Sequence, residues 1–154
     1  MKKMNKALSF LLVLSILCTI FAVPASAVTY STENNTELTS IIADKGQFTC
    51  EGTVTFSSNS LEYEISCRND LGPEDIYDIY AQCVIFYSDD NYDFSYVRNN
   101  PGIGRGNTER YGGTMYFAAN KTVIGFDAEF RLSFQGEAVW GAILAAPSTL
   151  GINA

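Results

Sequence analysis

Three arginines, Arg98, Arg105 and Arg110, stand in the glycine-rich stretch RNNPGIGRGNTERYGG. A guanidinium fork meets a carboxylate, sulfate or phosphate with paired N–H donors, so this segment could hold an acidic group on a glycan or peptide. With Tyr111 beside them they are candidate binding residues, and the plainer expectation is a connector whose arginines answer nearby acids. Gly102, Gly104 and Gly106 make no nucleotide fingerprint, because neither GxGxxG nor GK[ST] is present. Trp140 is the other binding candidate. Paired across from Arg131 and sharing a face with Leu144, it would form an exposed strip able to stack on sugar rings. The alternative is burial under a second sheet or the N-terminal segment.

Catalysis has few supports. The chain contains no histidine, which removes histidine triads, histidine zinc sites and the commonest acid–base group. Glycoside hydrolysis needs two carboxylates about 5–10 Å apart. Glu62 with Glu64 and Asp127 with Glu129 are the pairs on offer, and both also read as the solvent side of an amphipathic strand. No GxSxG or SxxK occurs. Asp89, Asn91 and Asp93 alternate like the start of a calcium loop, but Phe94 stands where glycine is wanted and Asn100 where glutamate is wanted. Neither a metal nor another cofactor is expected.

The elements that must position these residues follow a leader. Lys2, Lys3 and Lys6 make a positive start, Ala7 to Val23 is an almost unbroken apolar run, and Ala25-Ser26-Ala27 offers the small residues that a signal peptidase reads. Cleavage near Ala27 and secretion are expected. Ten basic residues less the three leader lysines leave seven against seventeen acidic ones, a net charge of −10. That balance argues against nucleic acid or an anionic membrane surface as partner. No later apolar run reaches the ~18 residues of a membrane helix, so stable membrane insertion of the mature chain is not expected. The expected divisions are a signal peptide over 1–27, a polar tether over 28–45, one β domain over 46–147 and a tail over 148–154. The tether carries a short helix across Glu37 to Lys45.

From Gly46 onward apolar residues recur at every second position. A tight turn at Ser57 to Ser60 pairs Phe56 with Leu61, Val54 with Tyr63 and Cys50 with Cys67, which keeps every apolar partner on one face. At a non-hydrogen-bonded pair two cysteines lie about 4.5 Å apart at Cα, within disulfide reach. Two reduced core cysteines are the alternative. Cys83 is left over and could link two chains as a homodimer. Ile79 to Tyr87 is apolar on both faces and reads as a central strand. Ser88 to Asn91 turns it back through Tyr92, Phe94 and Tyr96.

Asn120-Lys121 reads as a two-residue turn setting Phe117 against Ile124 and Met115 against Phe126. Gln135-Gly136 reads as another, setting Leu132 against Val139 and Phe130 against Gly141. Between them Ile124, Phe126, Ala128, Phe130, Leu132 and Phe134 share one face. Arg98 to Gly113 is the one long break in the pattern. The whole predicts an all-β, antiparallel β-sandwich of immunoglobulin type, about seven strands built from hairpins. Function is then expected to be that of a secreted, non-catalytic module binding a glycan or protein at or outside the cell surface. A small extracellular hydrolase with a carboxylate pair and a self-associating structural surface protein are the rival readings.

Overall fold

Period-two patterning becomes strand in the computed structural model, which describes residues 28–38, 46–146 and 152–153. The expected leader, residues 39–45 and most of the expected tail lie outside the described residues. Eleven strands and no helix occur among those described. In chain order they are β1 (Val28–Leu38), β2 (Gly46–Phe56), β3 (Ser60–Asn69), β4 (Asp75–Ile76), β5 (Asp78–Tyr87), β6 (Tyr92–Asn99), β7 (Gly102–Ile103), β8 (Thr108–Tyr116), β9 (Thr122–Phe134), β10 (Glu137–Ala146) and β11 (Ile152–Asn153).

Two antiparallel sheets share one core. The first has the order β1-β2-β3-β8; the second has β10-β9-β5-β6, with β11 added against β9. Phe48, Val54, Leu61 and Ile65 from the first sheet meet Ile79, Ile85, Phe130 and Leu132 from the second, all fully buried. Polar and aromatic contacts tie the layers together. The Tyr63 and Ser95 hydroxyls lie 2.8 Å apart, and the Tyr30 ring packs 5.3 Å from Phe126. Gly52 makes room for this packing: a Cβ there would lie 2.3 Å from the Phe130 ring.

The β2–β3 register is the one expected, with Phe56 opposite Leu61 and Cys50 opposite Cys67. The segment Val28–Leu38, part of the tether expected over 28–45, instead pairs along β2 as the edge strand of the first sheet. Its threonines suit a pleated surface, and Tyr30 reaches the core against Phe56. The helix expected across Glu37 to Lys45 lies, beyond Leu38, outside the described residues.

The expected β8–β9 hairpin does not form. β8 pairs with β3, setting Met115 opposite Leu61, and residues 117–121 cross to the second sheet. Phe117 is buried at this crossing against Phe56, while Asn120 takes a left-handed φ of 64°. Both arrangements preserve the alternation, and pairing with β3 also satisfies a strand edge that would otherwise stay open.

Two register shifts alter which residues point inward. Between Phe86 and Tyr87 the pairing with β9 slips, so Val123 rather than Ile124 completes the buried face. In β10 the Gln135-Gly136 turn forms as expected, with φ of 50° and 84°, the mirror-type turn that matches strand twist. A bulge between Ala138 and Trp140 then advances the strand by one residue. A one-residue advance exchanges the two faces.

At one end the two crossovers meet. β4, on the way from β3 to β5, pairs with β7, on the way from β6 to β8. Asn69, fully buried, donates from Nδ2 to the carbonyls of Pro73 and Ile103, and its own backbone pairs with Asn107 and Gly106. One side chain thus joins both crossovers.

Candidate functional site

β6 has its large residues on the wrong side for a core strand. Tyr92, Phe94 and Tyr96 are 67%, 52% and 60% exposed, while Asp93, Ser95 and Val97 alternate with them toward the first sheet. The register follows from the loop after β5. Tyr87 N–H donates to the Asn91 carbonyl, Asp90 adopts φ 61°, and Phe86 therefore faces Tyr92. Because Ile79, Ala81, Cys83 and Ile85 of β5 fill the core, their β6 partners Asn99, Val97, Ser95 and Asp93 share that side, and the rings go outward. Leaving a large ring in water forgoes roughly 1.5–3 kcal/mol of burial.

The rings continue onto β5. Phe94 and Tyr96 lie 5.7 Å apart with planes 28° from parallel, and Tyr80 lies 6.4 Å from Tyr96 at 34°. Beside them runs a hydrogen-bond chain across two strands, β5 and β9. The Tyr80 hydroxyl donates to Gln82 Oε1, Gln82 Nε2 donates to Glu129 Oε2 at 2.8 Å, and Arg131 donates to Glu129 Oε1. Burial, and then the Glu129 charge, push the Tyr80 pKa up. Arg98, one row beyond Tyr96, meets Asp78 with two 2.8 Å bonds. Shallow hollows flank this face. One of about 430 Å³ is lined by Tyr96, Arg98, Asn99 and Asn100; another of about 420 Å³ lies over Gly141, between Arg131 and Ile143.

The residues singled out from sequence are dispersed. Arg98 borders the aromatic face. Arg105 sits in the turn before β8 and donates to the Gly72 carbonyl at 3.2 Å. Arg110 lies on the outer face of the other sheet, 3.5 Å from Glu64. The expected long loop is largely strand, so no arginine cluster forms. Tyr111 is half-buried at the core margin, with its hydroxyl on Glu109.

Trp140 corrects the expected exposed strip. The bulge sets it opposite Leu132, Gly141 takes the place across from Arg131, and the indole is 4% exposed. Ile143 faces water instead.

Cys50 and Cys67 are buried Cα partners whose thiols are not joined in this structure. The contact with Cys50, reinforced by burial, drives the Cys67 pKa upward. Cys83 points into the core with its pKa pushed up to about 12, chiefly by burial and then by Asp127. A bond from its sulfur to a second chain would require the sheet to open.

Among the carboxylates, Glu62 and Glu64 rim a hollow of about 440 Å³ with Thr53, Thr55 and Thr114. Its floor is tight backbone, since a Cβ at Gly112 would lie 2.1 Å from the Tyr63 carbonyl oxygen. Glu129 has both oxygens engaged. Asp89 is held by Asn91 and Lys121, which lower its pKa, and Asp93 accepts from the Tyr87 hydroxyl at 2.6 Å. These acids close the β5–β6 turn.

Sequence reasoning passed over Tyr92, Phe94, Tyr96 and the Tyr80–Gln82–Glu129 chain. The available signal was the β5–β6 turn length, which sets these rings opposite Phe86, Val84 and Gln82 and away from the core.

No protein-family model and no curated protein matches the chain. Among solved structures it is similar to a Bacteroides fragilis chain assigned as a beta-galactosidase, at a TM-score of 0.35 and 9% identity, over 77% of this chain. The match spans only 16% of that chain, and so distant a likeness carries no argument about function.

Proposed function

We propose that this chain is an exported, immunoglobulin-like sandwich that binds a glycan at or outside the cell surface, without catalysis, through the outer face of its second sheet. The observation that carries the reading is β6, which turns three aromatic rings to water beside a fixed row of hydrogen-bonding groups. Sugars offer the complementary surface, apolar C–H faces edged by hydroxyls. The strand order supports the immunoglobulin-like assignment. β2, β3 and β8 form one sheet and β6, β5, β9 and β10 the other, with the chain changing sheets after β3, β6 and β8. Seven strands are thereby accounted for, and β1 is an addition at the edge.

Export is read from the leader, with its Lys2, Lys3 and Lys6 start, apolar run and Ala25-Ser26-Ala27 end. In an oxidising exterior Cys50 and Cys67 would form a cross-strand bridge. The Ser57 N–H to Ser60 O bond sets the ladder phase, which makes Cys50 and Cys67 a non-hydrogen-bonded pair. Each thiol would lose a proton and the two electrons would pass to a disulfide oxidant. Titrating the secreted protein into soluble polysaccharides by calorimetry tests the reading. Saturable binding that a Tyr92→Ala/Phe94→Ala/Tyr96→Ala variant lacks is expected, and heat-silent titration across a broad panel would end it.

A further inference from the structure

We propose that the ligand is an uncharged, linear polysaccharide that lies along β6, with Tyr92, Phe94 and Tyr96 each beneath one of successive sugars. The proposal rests on the reading that this face binds a glycan, and it names the ligand's charge, shape and direction.

Direction comes from the rings. They occupy alternate positions of a single strand, so they form a line with a step of about 6.6 Å, twice the strand rise. The planes of Phe94 and Tyr96 are 28° apart, so successive rings present similar faces to one extended chain. β6 is also the margin of its sheet, with β5 its one ladder partner among the described residues. A polymer lying on it can run past both ends, and beyond Tyr96 it would enter the hollow formed with Arg98, Asn99 and Asn100.

Charge comes from the neighbours. Asp78 answers Arg98 with both oxygens, and Glu129 is answered by Gln82 and Arg131. An acidic ligand would find no unanswered cation on this face among the described residues, and it would meet a chain of net charge −10 over residues 28–154. The row from Tyr80 to Glu129 remains able to exchange hydrogen bonds with hydroxyls.

A competing track would cross the strands from Tyr96 to the hollow over Gly141. A Cβ at Gly141 meets nothing closer than 3.6 Å, so the backbone admits a side chain there, and Gly141→Gln would extend one into that hollow. The test measures calorimetric affinity of the wild-type protein for neutral cello-, xylo- and galacto-oligosaccharides of two to six sugars, with polygalacturonate as the anionic probe. At least one neutral series should bind, tightening about tenfold from two sugars to four and then levelling. Each single alanine variant at Tyr92, Phe94 or Tyr96 should weaken it about fivefold, the effect of one aromatic contact. Gly141→Gln should leave it unchanged, and polygalacturonate should not bind.

Length-independent affinity, loss of binding in Gly141→Gln, or a preference for polygalacturonate would overturn this proposal while glycan binding stood. Absence of binding to every probe would overturn both. So would a dimer in sedimentation that Tyr96→Ala dissolves, since a second copy would then be what the rings hold.

Discussion

The outer faces of the two sheets come from the same kind of alternating strand, yet they end in different chemistry. On the first sheet the residues turned to solvent include Thr29, Thr55, Ser31, Glu51, Glu64 and Arg110, linked by hydroxyl and ion contacts such as Ser31 to Glu51. On the second, Tyr92, Phe94 and Tyr96 stand in water beside a fixed polar row. Apart from Tyr116, a single ring 73% exposed at the end of β8, the first face is what solubility asks of an exposed sheet. The second leaves apolar area unburied that folding alone would hide, and unburied aromatic area beside ordered polar groups marks a recognition surface.

Replacing all three β6 rings by alanine is the strongest way to break this contrast. At about 1 kcal/mol per ring, polysaccharide affinity should fall about 100-fold, with the thermal midpoint unchanged or raised. A lowered midpoint with intact binding would make the rings structural.

Next come two glycines at equivalent depths on opposite sheets. Gly112→Ala would drive a Cβ into the Tyr63 carbonyl, so urea unfolding should show a loss of about 3 kcal/mol. Gly141→Ala would place a Cβ in ordinary contact, 3.6 Å from the Phe130 carbonyl oxygen, and should change stability by less than about 0.5 kcal/mol. Equal losses would show that the first sheet is no more closely built than the second.

Alkali probes the layer between the faces. Burial raises Tyr77 to about 12 from 10.0 and Cys83 to about 12 from 9.0. The unfolded chain releases these protons first, so their contribution is complete below pH 9 and is lost as pH rises from 9 toward 12. Urea midpoints measured at pH 8, 9.5 and 11 should fall in that order; a Cys83→Ala/Tyr77→Phe variant should fall less steeply. The smallest effect expected is that of Glu62→Gln with Glu64→Gln. Binding should hold and stability should move by less than about 0.5 kcal/mol. A large change in binding would relocate the site to the first sheet.

Much of the scaffold was legible in the alternation. The β2–β3 register follows because its turn lies between two apolar sets that match in only one phase. The β9–β10 turn was equally readable, yet AVWGAIL supports two phases, Val139-Gly141-Ile143 and Trp140-Ala142-Leu144. Only the space available opposite Leu132 selects the second. The β8–β9 connection failed for a similar reason: a short polar segment reads alike whether it folds back within one sheet or crosses to the other. The three arginines seemed grouped because glycines surrounded them, while strand pairing sends each to a different surface. The aromatic face was hidden by its own pattern. Tyr92, Phe94 and Tyr96 alternate as core residues do, and their exposure depends on which side of β5 is buried, a fact held by residues far along the chain.

The bulge at Val139 has an evolutionary reach. Loss of that one codon would join Ala138 directly to Trp140 and make the ladder with β9 continuous, with Trp140 still opposite Leu132 and Ile143 still turned outward. Only a phase in which Val139 itself paired with Leu132 would carry the indole outward to Arg131, so this bulge is a site where the chain can shed a residue without changing which side chains the sheet displays.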